Sequence, residues 1–255
     1  MTVHGEPGSS RLPREPRPVQ PDSAAHRFPG LQDVRTDLDR LRIHHLDVGQ
    51  LMLTVGGGEL YLPDLFMMAV LQRSYGLVDA FIDAVDHHNL HAAAPLLRVQ
   101  IDSLFRLSYV CRAPSVDDVV RDVMAGVEFR QMKDVDGRKL SDGRLKDLAQ
   151  PFHPWTKDVY DKASGWVHLS RSHMGAAWQV RDDVLTGGLP LRPGVVPERL
   201  WRELLAAMQR ATREVLDYAD GWSSRKGLPP DQYRDLHADG HPIVTVEGMH
   251  SPGHE

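Results

Sequence analysis

The sequence predicts an all-α protein: a helical bundle of five or six helices between disordered termini, with a short β-hairpin insertion near residues 176–190. Three observations lead there. Apolar residues recur at three- and four-residue steps through several long stretches. Both ends are rich in Pro and Gly and carry no such period. Alternating strand-like runs are nearly absent between them.

Residues 1–30, beginning "MTVHGEPGSSRLPREPRPVQ", bury too little to offset their ordering entropy and read as a disordered Pro/Arg-rich tail. The bundle domain is expected over 31–222. Leu31, Val34, Leu38, Leu41 and His45 share one face of a first helix, which Leu46, Leu51 and Leu53 extend until "VGGGE" breaks it. Pro63 and Asp64 open a long helix whose stripe runs Leu65, Met68, Leu71, Tyr75, Val78, Ile82, Val85. Asn89 is the expected N-cap of the next, which stops before Pro114. Ser115, with Asp117 and Asp118, starts another. "DVDGRKLSDGRLKD" reads as a polar loop, and a helix follows Pro154. "AAWQVRDDVLTGGLPLRPGVVP" holds too much Gly and Pro for a helix and suits a hairpin. The last helix starts near Pro197 and runs amphipathically through Leu200, Leu204, Met208, Ala211, Val215 and Tyr218. Residues 223–255 return to a Pro/Gly/His-rich disordered tail in which only "PIVTV" suits a strand.

Bulk properties narrow the function classes. A net charge of −5 makes the whole chain no trap for nucleic acid or anionic lipid, so such binding needs a local basic patch. A single cysteine, Cys111, excludes an internal disulfide framework and suits a reducing compartment. No stretch approaches the roughly 18 uninterrupted apolar residues of a membrane span, and the N-terminus lacks a signal-peptide core. Cytoplasm is the default location, with no membrane partner and no DNA-binding motif. A homodimer is left open.

Two helices carry the candidate site. "LLRVQIDSLFRLSYV" is apolar nearly all round, which places it mid-domain, yet Arg98, Asp102 and Arg106 lie four residues apart in one line. Either that line faces water as a salt-bridge ladder or it faces inward. Inward, two arginines against one aspartate need a further negative partner: an anion, a phosphate or another helix's carboxylate. "YDKASGWVHLSRSHM" sets Tyr160, Ser164 and His168 at four-residue steps, with Arg171 three further on. His168 reads as a core histidine bonded to Ser164 or a carbonyl, or as a group that moves protons near neutrality.

These two stretches resemble a group of bacterial all-helical proteins in which an Arg-x-x-x-acid helix precedes a Tyr/Ser-x-x-Val-His helix. That group is similar in layout to HEPN-type bundles, many of which are metal-independent ribonucleases or nucleotide-linked toxins of defence systems. The resemblance covers about residues 65–175 and places Arg98, Asp102, Ser164 and His168 on matched positions. It implies an RNA or nucleotide partner. His168 would be the general acid or base, Arg98 or Arg171 would hold phosphate with Arg106 and Tyr160 beside them, and Ser164 and Asp102 would orient. HEPN ribonucleases carry arginine four to six residues before the histidine; here Lys162 stands six before His168. Arg40 with His45 has such spacing elsewhere, and Arg234 stands seven residues before His241.

Other constellations rank lower. His87 and His91 sit one turn apart and could bind one ion with His88 or the His44/His45 pair as a third ligand, but neither Glu-x-x-His nor His-Glu-x-x-His occurs. No metal site and no cofactor are expected. "GGGE" lacks the lysine of a phosphate loop. "EFRQMKDVDGRKLSDGRLK" interleaves six basic and four acidic residues, so RNA contact there needs Arg130, Arg138 and Arg144 on one surface. Set against the RNA reading is a non-catalytic bundle that binds a partner protein or a small anion, its polar cluster serving the fold.

Overall fold

The computed structural model describes residues 14–168, 178–181, 183–187, 196–227 and 244–245. Among them the fold is all-α, as the periodicity predicts. The helices are α1 (Ala24–Arg27), α2 (Gln32–Thr54), α3 (Leu62–Asp86), α4 (Leu90–Val110), α5 (Val116–Met124), α6 (Asp142–Ala149), α7 (Thr156–Val167) and α8 (Glu198–Lys226). The expected hairpin is present as β2 (Trp178–Arg181) antiparallel to β3 (Val184–Gly187). Within "PIVTV", β4 (Val244–Thr245) pairs antiparallel with β1 (Glu59–Leu60).

Local chemistry sets the starts of the helices. Asn89 accepts the Ala92 N–H at 3.1 Å, Ser115 that of Asp118 at 3.2 Å and Ser141 that of Arg144 at 3.2 Å. Ser141 starts α6 inside the stretch that reads as a polar loop. The helix is only 8 residues long and buries just Leu145 and Ala149, too few apolar positions to show a period.

α4 runs through the middle of the bundle. Its Leu97, Ile101, Leu104, Phe105, Leu107 and Val110 are buried, and α3, α6, α7 and α8 pack around it. In α3 the buried stripe is Met67, Leu71, Ser74, Val78, Ile82 and Val85, while Leu65 is exposed. By length and composition α3 alone among the described residues would span a membrane; in the bundle it packs on α2 and α4.

The packed chain begins before residue 31. Residues 14–18 cross α2 and α3 as a strap held by charge. The Arg17 backbone N–H donates to Asp39 at 2.5 Å, its guanidinium pairs with Asp83 at 2.9 Å, and Arg35 donates to the Arg17 carbonyl at 2.7 Å. Beneath it lie the buried Arg35, Asp39 and Arg42, with Arg35 paired to Asp86 at 2.6 Å. Hydrophobic period cannot detect a segment anchored this way. At the other end α8 continues to Lys226, whose buried ammonium meets Asp64 at 3.0 Å.

Candidate functional site

The arginine–aspartate line of α4 faces α6 and α7. Arg98 lies across the α4–α7 seam: its Nε donates to Ser164 Oγ at 3.0 Å, Nη2 hydrogen-bonds the Tyr160 hydroxyl, and Cζ stands 3.5 Å from the Tyr160 ring centroid. Ser164 is oriented in turn by donating to the Tyr160 carbonyl at 2.8 Å. Asp102 pairs with Arg98, and with Arg106 at 3.5 Å. Arg106 reaches Asp142 at the start of α6 at 2.7 Å, and Lys146 reaches Asp161 at 3.2 Å.

Arg98, Asp102, Tyr160 and Ser164 thus come together at one half-buried seam, the Arg98 side chain 13% exposed and Asp102 19%. Burial raises the Asp102 carboxyl above its ordinary range despite the two arginines. Burial, aided by the Asp102 charge, pushes the Tyr160 phenol up to about 12, so it stays protonated. The second arginine finds its counter-charge in another helix's carboxylate, Asp142. Two buried atoms, Arg98 Nη1 and Asp102 Oδ1, are held by these ion pairs alone, without a well-aligned hydrogen bond.

The His168 side chain makes no bond to this seam. α7 ends at Val167, and His168 is its exposed C-cap in extended backbone (φ −105°, ψ 140°), its N–H 3.3 Å from the Ser164 carbonyl. The four-residue line therefore ends at Ser164, and the imidazole has no hydrogen-bond partner among the described residues. Arg171 lies outside them, as do Arg234 and His241. Arg40 is exposed and pairs with Asp37, whereas His45 is buried, so these two do not share a surface.

A second constellation has no sequence signal, since His153 and Trp155 lie 61 and 59 residues before the carboxylate that joins them. Glu214 of α8 accepts from His153 Nδ1 at 2.7 Å, Trp155 Nε1 at 2.8 Å and Arg210 Nε at 3.0 Å. Burial pushes its carboxyl up, but those three bonds outweigh it and hold the group below the usual carboxylate range. The fixed Trp155 forms part of a cleft of about 370 Å³ between α4, α7 and α8, with Leu97, Val159, Trp166, Leu204 and Ala207 among its walls.

The remaining candidates are occupied locally. His87 Nδ1 donates to the Asp83 carbonyl at 2.7 Å, His88 Nε2 to that of Asp22 at 2.6 Å, and His91 packs edge-on to Trp166 at 5.6 Å. Arg144 is held by Asp134 at 2.6 Å and Asp136 at 2.8 Å, and Arg130 by Glu128.

No family model matches the chain, and no solved structure does. The chain is similar to Ribonuclease 3 of Azorhizobium caulinodans, 26% identical over 176 residues. The match covers 68% of this chain and 63% of that protein, less than two thirds of its length.

Proposed function

We propose that this protein is an RNA-directed helical bundle, HEPN-like in layout, whose α4–α7 seam takes a phosphate of the RNA. The observation that carries the reading is Arg98, held across two helices by Tyr160 and Ser164 and paired through Nη1 with Asp102, at a seam that sets two arginines against the one aspartate of α4. Burial already disfavours the charge on Asp102, so a phosphate oxygen takes its place on a guanidinium whose plane Tyr160 and Ser164 keep fixed. The similarity to Ribonuclease 3 points to the same substrate class. In the catalytic form of the proposal, His168, one turn beyond Ser164, takes the proton from an RNA 2′-hydroxyl. The 2′-oxygen then attacks the adjacent phosphorus, the 5′-oxygen leaves with a proton from solvent, and Asp102 and Ser164 hold Arg98 in place.

RNA binding and cleavage by wild type, Arg98→Met and His168→Ala, all in the presence of chelator, test this. Expected are weaker binding in Arg98→Met and, for the catalytic form, loss of cleavage in His168→Ala with binding retained. Equal cleavage in wild type and His168→Ala removes the catalytic role; equal binding in wild type and Arg98→Met removes the seam.

A second reading is favoured by the Asp142 contact. With Arg106 neutralised by α6 and Arg98 by Asp102, the seam also works as a fold-specifying polar cluster in a non-catalytic bundle. Loss of thermal stability in Asp102→Ala, with RNA affinity unchanged, is its signature.

A further inference from the structure

One face of α7 and the residue before it carries Trp155, Val159, Lys162, Ala163 and Trp166 toward α8. Their steps of four, three, one and three residues keep them on one side of the helix. At 1.5 Å per residue the two tryptophans lie about 16 Å apart along the axis, with Lys162 between them. The cleft they line has apolar walls and a charged rim. On that rim Glu203 is matched by Arg199 at 3.1 Å and Arg210 by Glu214 at 3.0 Å. Lys162 has no ion pair among the described residues.

The indoles are preset. Trp155 is tied through Nε1 to Glu214 at 2.8 Å and has the Arg210 guanidinium 5.0 Å from its ring, while His91 packs against Trp166. Aromatic platforms fixed before binding lose little conformational entropy when a ligand arrives.

We infer that this cleft is a groove for single-stranded RNA, with a base against the indole at each end and a backbone phosphate on Lys162. Three properties select that occupant. Every base presents a π face, so indoles stack it without regard to sequence. A cation between two aromatic platforms matches the alternation of base and phosphate; an aliphatic ligand would leave Lys162 unmatched. A single mononucleotide is too short to reach both tryptophans. The cleft volume of about 370 Å³ falls in the range of sites that hold small ligands, roughly 300–1,000 Å³. The inference rests on the RNA reading above but uses a different surface, the α8 side of α7 rather than its α4 side.

Anisotropy titration of the full chain with a labelled single-stranded RNA of about six nucleotides tests it. The variants are Trp166→Ala, Lys162→Glu and Ala206→Phe, with circular dichroism confirming the fold. Ala206 is an exposed cleft residue of α8, so a phenyl group there fills the groove without entering the core. Loss of one stacked base weakens binding by about 5- to 150-fold in Trp166→Ala, and Ala206→Phe is expected to do the same. Lys162→Glu weakens binding and flattens its salt dependence. Unchanged affinity in both Trp166→Ala and Ala206→Phe overturns the groove. If Arg98→Met still weakens binding, the seam survives that result, and the groove is then left to a peptide or to the chain's own residues 169–195. No binding of RNA by wild type overturns both readings.

Discussion

Acid should unfold this protein in part through one residue, His45. Its ring is buried between α2 and α3, with Nδ1 2.8 Å from the Leu41 carbonyl and Nε2 2.8 Å from Ser74 Oγ. The carbonyl only accepts, so Nδ1 carries the proton and Nε2 accepts from the Ser74 hydroxyl. That hydroxyl accepts in turn from Gln100 Nε2 at 2.6 Å. A second proton on His45 would reverse its bond to the serine, deprive the Ser74 hydroxyl hydrogen of that acceptor and place a charge beside Arg42. Burial, with the nearby positive charge adding to it, holds the imidazole at about 4, below its ordinary 6.5. The unfolded chain therefore takes the proton first. The contribution to stability is full above about pH 6.5 and is lost as pH falls toward 4. At pH 5 the loss is about 2 kcal/mol, or roughly 4–8 °C in Tm for a chain of this size. Carboxylates also titrate there, so the quantity to measure is the Tm difference between wild type and His45→Gln from pH 8 to 4.5. Glutamine sets an amide oxygen where Nε2 stands and does not titrate. The gap should hold steady above neutrality and shift against wild type by those degrees at pH 5. Parallel curves for the two proteins would refute the reasoning.

Two further outcomes follow from burial. Asp64→Ala removes the carboxylate that accepts from Lys226 at 3.0 Å, Trp222 Nε1 at 2.7 Å and the Tyr61 N–H at 2.8 Å, and takes the Asp64 charge away from a buried ammonium that also donates to the Met52 carbonyl. The expected cost is about 3–5 kcal/mol, read as a lower denaturant midpoint with unchanged slope. A loss under 1 kcal/mol, on the order of an exposed pair, would contradict it. The half-buried Cys111 thiol, pushed up to about 12 by desolvation, should react more slowly with a thiol reagent at pH 8 in the native protein than in denaturant. Rapid native labelling would contradict that burial.

Much of the architecture was legible in the chain because it depends on local rules. Asn89 and Ser115 cap the helices their sequence positions announce, and the 92–110 stretch, apolar nearly all round, lies at the centre of the bundle, where such a helix must go. The four-residue steps of Arg98, Asp102 and Arg106, and of Tyr160 and Ser164, put each set on one helical face before any fold was known. Which way those faces turn was not legible. The same spacing serves a solvated ladder as well as an inward seam, and only packing of α4 on α7 chose. His168 shows the limit of the rule: its spacing continues the line, but α7 ends one residue earlier and the backbone there is extended. The buried Arg35, Asp39 and Arg42 network and the strap of residues 14–18 escaped for a related reason, since their partners come from Asp86 and Asp83, far along the chain.

The sequence by itself determined that helices form, roughly where they start, and which side chains share a face, because capping and the 3.6-residue period act within a turn or two. Tertiary structure alone decided which charges are buried, that Asp142 rather than a bound anion meets Arg106, and that Glu214 fixes His153 and Trp155 beside a cleft. Those outcomes depend on desolvation and on partners 36 to 61 residues away, and no local pattern encodes them.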